Sequence, residues 1–243
     1  MSNDLVVLDI SHWQPAPDWA ALKAAGIVGV ILKATEGQSY VDKTFRGRYD
    51  AALAAGLAVS SYHFMRPGSI VGQMNHYLNT LKPRDGERVC LDHEDPGVSL
   101  ADLEAAVEYL ETDSRNLQIA IYSGHVIKEQ LGGDHSDILA GTSLWIAQYT
   151  LNAAPGWPKG TWPVWSLWQY TDKASVPGIS GNVDGNRFNG SREQCLAWFG
   201  PSQGVMPEPE PEPQPETQVV TMSLDVPDGV EVHVVINGEL VSS

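Results

Sequence analysis

The sequence predicts an α/β fold: an incomplete (β/α) barrel of about eight strands with fewer outer helices, followed by a small C-terminal β-meander. Three observations predict it. Short apolar runs alternate with helix-like stretches through the first 140 residues or so, the rhythm of βα units. Those runs are apolar on both faces, as strands buried in a parallel sheet must be. Each run also ends in polar side chains, and in a β/α barrel such ends share the face on which active sites are built.

The elements follow in order. "LVVLDIS" reads as a strand, and "DWAALKAAG" as a helix closed by Gly26. "VGVILKA" is a second strand, with "KTFRGRYDAALAAG" as its helix. "LAVSSYHF" and "VGQMNHYLNTLK" form a third pair. "RVCLDHE" is the fourth strand, followed by "SLADLEAAVEYLETDSRN", where Ser99 and Asp102 stand in capping-box positions. "LQIAIYSG" is the fifth, with "HVIKEQLGG" as a short helix. Beyond residue 140, "SLWIAQYT", "VWSLWQYT" and "NVDGNRFNG" read as strands or strand ends, but their links carry Pro and Gly and no helical period. Eight strand-like segments with so few late helices suggest a barrel that has shed part of its outer layer. A doubly wound open sheet is the alternative, and it lacks the glycine-rich phosphate loop that would support it.

At Gly200 the composition changes. Residues 201–216 alternate Glu and Pro, an extended and self-repelling spacer. Residues 217–243 alternate apolar and polar, with "PDG" and "NG" as hairpin turns, and read as a three-stranded meander. The chain thus divides into a barrel (1–200), a Pro/Glu linker (201–216) and a β tail (217–243). A 27-residue sheet is too small to fold unaided and needs a cover for its apolar face. Association of tails from several chains through Val219, Met222, Leu224, Val226, Val230, Val232, Val234 and Ile236 is one expectation, giving a homo-oligomer. A docked or frayed monomer and a small wall-binding module are the others. Light scattering on the full chain against residues 1–200 separates the first from the rest.

Charge excludes several classes. The chain holds 30 acids and 15 bases, a formal net charge of −15. Eight of the acids and none of the Lys or Arg lie beyond residue 200, leaving 22 acids against 15 bases in the barrel. Neither part carries the basic footprint of a nucleic-acid binder. No apolar stretch of about 18 residues would insert in a membrane, and the start, "MSNDLVVLDI", has no signal-peptide character. Cys90, in an apolar run, reads as an ordinary buried thiol, with pairing to Cys195 left open.

The carboxylates carry the functional reading. Asp9, Glu36, Asp92, Glu94 and Asp184 stand at strand ends, with Tyr62, Tyr122, Gln169 and Tyr170 among the polar and aromatic groups beside them. On a strand, residues i and i+2 face the same way, so Asp92 and Glu94 point together while His93 faces away. Their Cα atoms should lie roughly 6.5–7 Å apart. Two such acids, partly dry, resist double ionisation. One keeps a proton near neutrality and can act as a general acid, as glycosidic cleavage requires. Metal binding by Asp9, His12, Asp92, His93 and Glu94 competes, but His93 faces the wrong side and no metal-ligand spacing occurs. No metal or other cofactor is expected. There is no Gly-x-Ser-x-Gly elbow of a serine hydrolase.

"DISHWQ", "KATEG", "YHF", "LDHE", "YS", "LWIAQY", "WQYT" and "VDGNRFNG", in this order over residues 4–200, resemble glycoside hydrolase family 25, the lysozymes common as bacteriophage endolysins. The resemblance implies cleavage of the β-1,4 bond between N-acetylmuramic acid and N-acetylglucosamine in peptidoglycan. It implies Glu94 as the general acid, Asp92 as its partner, and Asp9 and Asp184 as the other acids of the cleft. It places Tyr62 at the reacting sugar, and Glu36, Tyr122, Trp145, Gln169 and Tyr170 along the cleft. Pro15 stands where the family usually has Gly after the "DISHWQ" glutamine, so the first βα loop is expected to be stiffer. The endolysin reading implies synthesis in a host cytoplasm and release to the wall through a holin. A chitinase-like polysaccharide hydrolase and a catalytically silent wall-binding module are the rival readings.

Overall fold

A computed structural model describes residues 6–200 and two short strands near the C-terminus. The chain divides into two compact units, Met1–Met206 and Pro207–Ser243.

In the first unit nine strands form one sheet: β1 (Val7–Ile10), β2 (Gly29–Glu36), β3 (Tyr40–Val41), β4 (Ala58–Phe64), β5 (Arg88–Asp92), β6 (Gln118–Ser123), β7 (Ser143–Ala147), β8 (Leu167–Ala174) and β9 (Val183–Phe188). Their order is β1-β9-β8-β7-β6-β5-β4-β2-β3, and a β1–β2 pairing closes eight of them into a barrel. The strands from β1 to β8 pair in parallel, apart from β3, a short antiparallel addition to the end of β2. β9 runs antiparallel to both of its neighbours.

The helices are those the periodicity predicts: α1 (Trp19–Ala24), α2 (Phe45–Ala54), α3 (Ile70–Leu81), α4 (Leu100–Glu111) and α5 (His125–Leu131). A single turn, α6 (Asp137–Ala140), and a last helix, α7 (Arg192–Trp198), complete the described set. No helix stands between β7 and β8 or between β8 and β9. The Ser99 capping box is formed, with Asp102 N–H donating to Ser99 Oγ at 3.1 Å and Ser99 N–H donating to Asp102 Oδ2 at 3.0 Å.

Strand alternation divides the core in two. Leu8, Val30, Leu32, Val89 and Leu91 pack outward against Leu22, Ala52, Tyr77, Leu103 and Val107 of the helices. Val7, Ile31, Cys90, Ala120, Tyr122, Trp145 and Leu167 turn the other way and pack together with Trp198 and Phe199. Phe199 packs so tightly that a Cβ on Gly29 would lie 2.6 Å from its ring. The buried Arg88 guanidinium ties this end together. It donates to Trp198 C=O at 2.8 Å and Ser143 Oγ at 3.0 Å, over the Trp198 ring. Cys90 and Cys195 are both buried and free, and burial pushes each thiol up to about 12.

In the second unit β10 (Val234–Ile236) and β11 (Glu239–Val241) pair antiparallel. The other strand of the expected meander, with Val219 to Val232, lies outside the described residues, as does the linker.

Candidate active site

At the end of the barrel where β4, β5 and β6 finish, an open cavity of 260 Å³ is lined by Asp9, Tyr62, Asp92, Glu94, Tyr122, Trp145, Tyr149, Gln169 and Asp184. Eight of these nine are residues that the sequence singles out. A larger cavity of 450 Å³, between Trp165, Trp168, Arg187, Phe188 and Arg192, contains no carboxylate. The chemistry lies in the smaller one.

Asp9 extends from β1 on the same face as Val7. It accepts from Gln169 Nε2 at 3.1 Å on each oxygen and from Asn186 Nδ2 at 2.8 Å. Neither amide is free to turn. Gln169 Oε1 accepts the hydroxyls of Tyr122 at 2.8 Å and Tyr149 at 2.9 Å, and Asn186 Oδ1 accepts the Trp145 indole N–H at 2.6 Å. The aromatic groups thus orient both amides with their N–H groups toward Asp9.

Asp184 lies directly across from Asp9 in the β1–β9 register. It does not finish its strand, as the sequence suggests; it is the second residue of β9. Because β9 runs antiparallel, its start reaches the face where the parallel strands end, so Asp184 still arrives at the cavity. Burial, then the Asp184 charge, raises the Asp9 pKa well above the ordinary aspartate value despite its amide donors. Asp184 is also raised, chiefly by burial. A pair this close titrates as a unit, its two proton losses belonging to the pair rather than to either residue.

Asp92 is the last residue of β5, and Glu94 lies two residues beyond the strand rather than within it. Strand-like bonding nevertheless continues past Asp92. His93 N–H donates to Tyr122 C=O at 2.8 Å, and Ser123 Oγ donates to His93 C=O at 2.5 Å. This pinning keeps the alternation. His93 is buried on the helix side, its Nε2–H donating to Gln130 Oε1 at 2.8 Å, while Asp92 and Glu94 share the cavity. Burial, then the Glu94 charge, holds Asp92 well above the usual carboxylate range. Its Oδ1 is buried without a hydrogen-bond partner, which is uncommon for a carboxyl oxygen and suits a group that completes its bonding with a ligand. Glu94 is exposed as a residue, at the cavity rim, yet enough protein surrounds its carboxyl to raise its pKa.

Tyr62, on β4, lines the cavity beside Asp92, and burial followed by the Asp92 charge pushes its phenol upward. Two expected cleft residues do not line this cavity. Glu36 ends β2 and is engaged by Lys33 at 2.7 Å and Arg66 at 2.8 Å, with Arg66 also bridging to Asp95 at 2.9 Å. Partial burial pushes Glu36 upward, but these two cations outweigh it and leave the pKa lowered. Tyr170 faces away from the cavity. The β8–β9 register slips between Gln169 and Thr171, and Arg187 covers the Tyr170 ring at 4.4 Å. His12, a rival metal ligand, is committed to Asp42, with Nδ1 at 2.9 Å from Oδ2. Tyr149 and Asn186 are the site residues that the sequence does not flag. Tyr149 sits in the quoted "LWIAQY" motif, two residues past the end of β7.

The raised pKa values set a direction for stability. Asp9, Asp92, Glu94 and Asp184 bind protons more tightly folded than unfolded. Their contribution is therefore complete below the unfolded carboxylate range, about pH 4, and is lost as pH rises through the folded values. The lowered acids, such as Asp42, Asp102 and Asp113, lose stability only below that range. Buried His63, pushed down to about 4, and His93 act in the opposite sense, gaining stability as pH rises. The expected signature of the acids is therefore a difference: relative to the parent, Asp92→Asn gains melting temperature as pH rises from about 4.5 to about 7.5. Thermal unfolding of both chains across that range checks it, and a constant difference contradicts it.

The sequence model described as Glycosyl hydrolases family 25 matches residues 8–179. Lysozyme M1 of Streptomyces globisporus is 30% identical over 208 residues, covering 78% of this chain and 69% of its own. An N,O-diacetylmuramidase of Chalaropsis sp. is 28% identical over 200 residues, covering 74% of this chain and 94% of its own. Among solved structures, a bacterial lysozyme from Streptomyces coelicolor superposes with a TM-score of 0.70 at 30% identity, covering 82% of this chain and 98% of its own.

Proposed function

Because this chain belongs to glycosyl hydrolase family 25, and so is a glycoside hydrolase of the lysozyme or muramidase kind acting on peptidoglycan, we propose that Glu94 is its general acid and that the substrate's own 2-acetamido group is its nucleophile. The bond cleaved is the β-1,4 link from N-acetylmuramic acid to N-acetylglucosamine. Glu94 gives its proton to the glycosidic oxygen as the bond from C1 to that oxygen breaks. The acetamido carbonyl oxygen closes on C1 from the other face, giving a cationic oxazolinium ring. Water then opens the ring at C1, with the Glu94 carboxylate taking the proton, so the β configuration is retained. Substrate assistance of this kind is a known departure from the two-carboxylate scheme.

The observation that carries this reading is the buried, unpartnered Oδ1 of Asp92 beside the acid. When Glu94 holds the catalytic proton, the charge that, after burial, raises Asp92 is gone; an Asp92 carboxylate there is poorly solvated until positive charge forms on the acetamido group, so its attraction grows toward the transition state. Asp9 and Asp184, both holding protons more tightly than free aspartates, shape the floor with Tyr62. Sodium borohydride reduction of digested peptidoglycan tests the bond assignment: muramicitol is expected, and glucosaminitol as the product would overturn it. Chitin, as a control substrate, tests the chitinase-like alternative. The finer role, a phage endolysin released through a holin, rests on the motif resemblance. Its test is whether cells making the chain lyse only after the inner membrane is permeabilised.

A further inference from the structure

Glu94 stands between two cavities. On one side are the carboxylates. On the other is a groove of 330 Å³ that shares Glu94, Tyr122, Tyr149 and Gln169 with the first and adds His125, Lys128 and Gln148. A general acid protonates the oxygen that joins two sugars, so an acid at a boundary assigns one sugar to each side. The ring that becomes cationic belongs with the carboxylates. The leaving sugar therefore occupies the groove of His125 and Lys128.

The groove differs from the rest of the mouth in its charge. Lys128, on α5, is half-buried and donates to Gln148 Oε1 at 2.7 Å, an oxygen that also accepts the Gly156 N–H at 2.9 Å. Burial lowers its pKa, with no neighbouring charge contributing. The other cations nearby are engaged: Lys33 and Arg66 with Glu36 and Asp95, and Arg48 with the carbonyls of Ser11 and Gln14. Among the described residues Lys128 has no carboxylate partner. An ammonium held this way in a strongly acidic protein suits an anion on the substrate.

The leaving N-acetylglucosamine is uncharged. The next sugar, N-acetylmuramic acid, is attached to it through O4 and carries its lactyl ether on the adjacent O3. That substituent therefore lies against the link to the leaving sugar rather than a full sugar away. Resting on the muramidase reading above, we propose that Lys128 is a specificity residue that binds a carboxylate carried by the muramic acid unit on the leaving-group side. The carboxylate is that of the lactyl group itself or of the peptide stem attached to it.

Three glycan preparations distinguish the sources: stem-free strands with free lactyl carboxylates, the same strands with those carboxyls converted to methylamides, and stem-bearing strands. Lys128→Met keeps the aliphatic stem and removes the charge. It is expected to raise KM about ten-fold, a change on the scale of one interaction, on a carboxylate-bearing glycan. kcat should stay within about two-fold and the methylamide glycan should be unaffected, while Lys128→Arg recovers most of the loss. Loss on stem-free strands assigns the lactyl group, and loss confined to stem-bearing strands assigns the stem. Unchanged KM on all three, or the same loss on all three, overturns the proposal. Failure of the unmodified chain to release muramic acid ends from any preparation instead removes the muramidase reading, and this inference with it.

Discussion

Glu94→Gln is expected to lower the rate of wall lysis by roughly 10²–10⁴-fold, the usual worth of a general acid. The amide has the shape of the acid but cannot donate the proton. The fold should be untouched, because no hydrogen bond that organises the barrel runs through the Glu94 side chain. It stands at the rim, two residues past β5, and its backbone is positioned by His93 and Ser123. Turbidity loss of a peptidoglycan suspension, with circular dichroism to confirm folding, checks the prediction. A variant that lyses walls at the parental rate would remove Glu94 from the mechanism and leave the Asp92–Glu94 pair without its assigned role.

The second large effect concerns Asp92. Asp92→Asn is expected to reduce kcat by roughly 10²–10³-fold, the range seen when one group aimed at developing charge is lost. The same change should raise the melting temperature at pH 7. Burial and the Glu94 charge make an ionised Asp92 unfavourable in the folded chain, and the amide removes that cost. A gain in stability with a loss of rate separates electrostatic catalysis from simple misfolding, which would lower both. The stereochemistry is the sharper measurement. Proton NMR of the first-formed product is expected to show the β-anomer. The α-anomer would mean that water attacked directly from the far face, with Asp9 or Asp184 as its base, and substrate assistance would fail.

Much of this site is legible in the sequence because the barrel imposes a rule that residues obey locally. A strand ends, its last side chains alternate, and every second one enters the cavity. Asp9, Tyr62, Asp92 and Tyr122 follow from that rule alone. Residues beyond its reach were harder to place. Asp184 reaches the cavity from the start of β9, since that strand runs backwards. Periodicity does not record strand direction. Tyr170 obeys the rule and is excluded by it: Gln169 beside it enters the cavity, so Tyr170 faces away, and only the family resemblance placed both in the cleft. Glu36 is drawn to the rim by Lys33 and Arg66, and Arg66 lies 30 residues further along the chain. Asn186 reads as part of a turn-like "DGNRFNG" until it is seen holding Trp145, Val7 and Asp9 together. The helices were easier. Asp18, Ser69 and Ser99 each accept the backbone N–H expected of an N-cap, a signal contained within a few residues. The single turn α6 and the two-residue β3 are too short to leave a periodic trace.

The meeting of the first and last barrel strands has a consequence for when the protein becomes dangerous to a cell wall. Asp9 leaves the ribosome on the first strand of the barrel, and Asp184 and Asn186 follow on its last. Until β9 has emerged and paired with β1, Asp9 lacks its acid partner and one of its two amide donors, and the barrel has an open seam. A nascent or truncated chain ending before residue 183 has Glu94 and Asp92 but no closed cavity around them. Contacts that span this much sequence form late and slowly. Activity is thus coupled by topology to completion of the barrel.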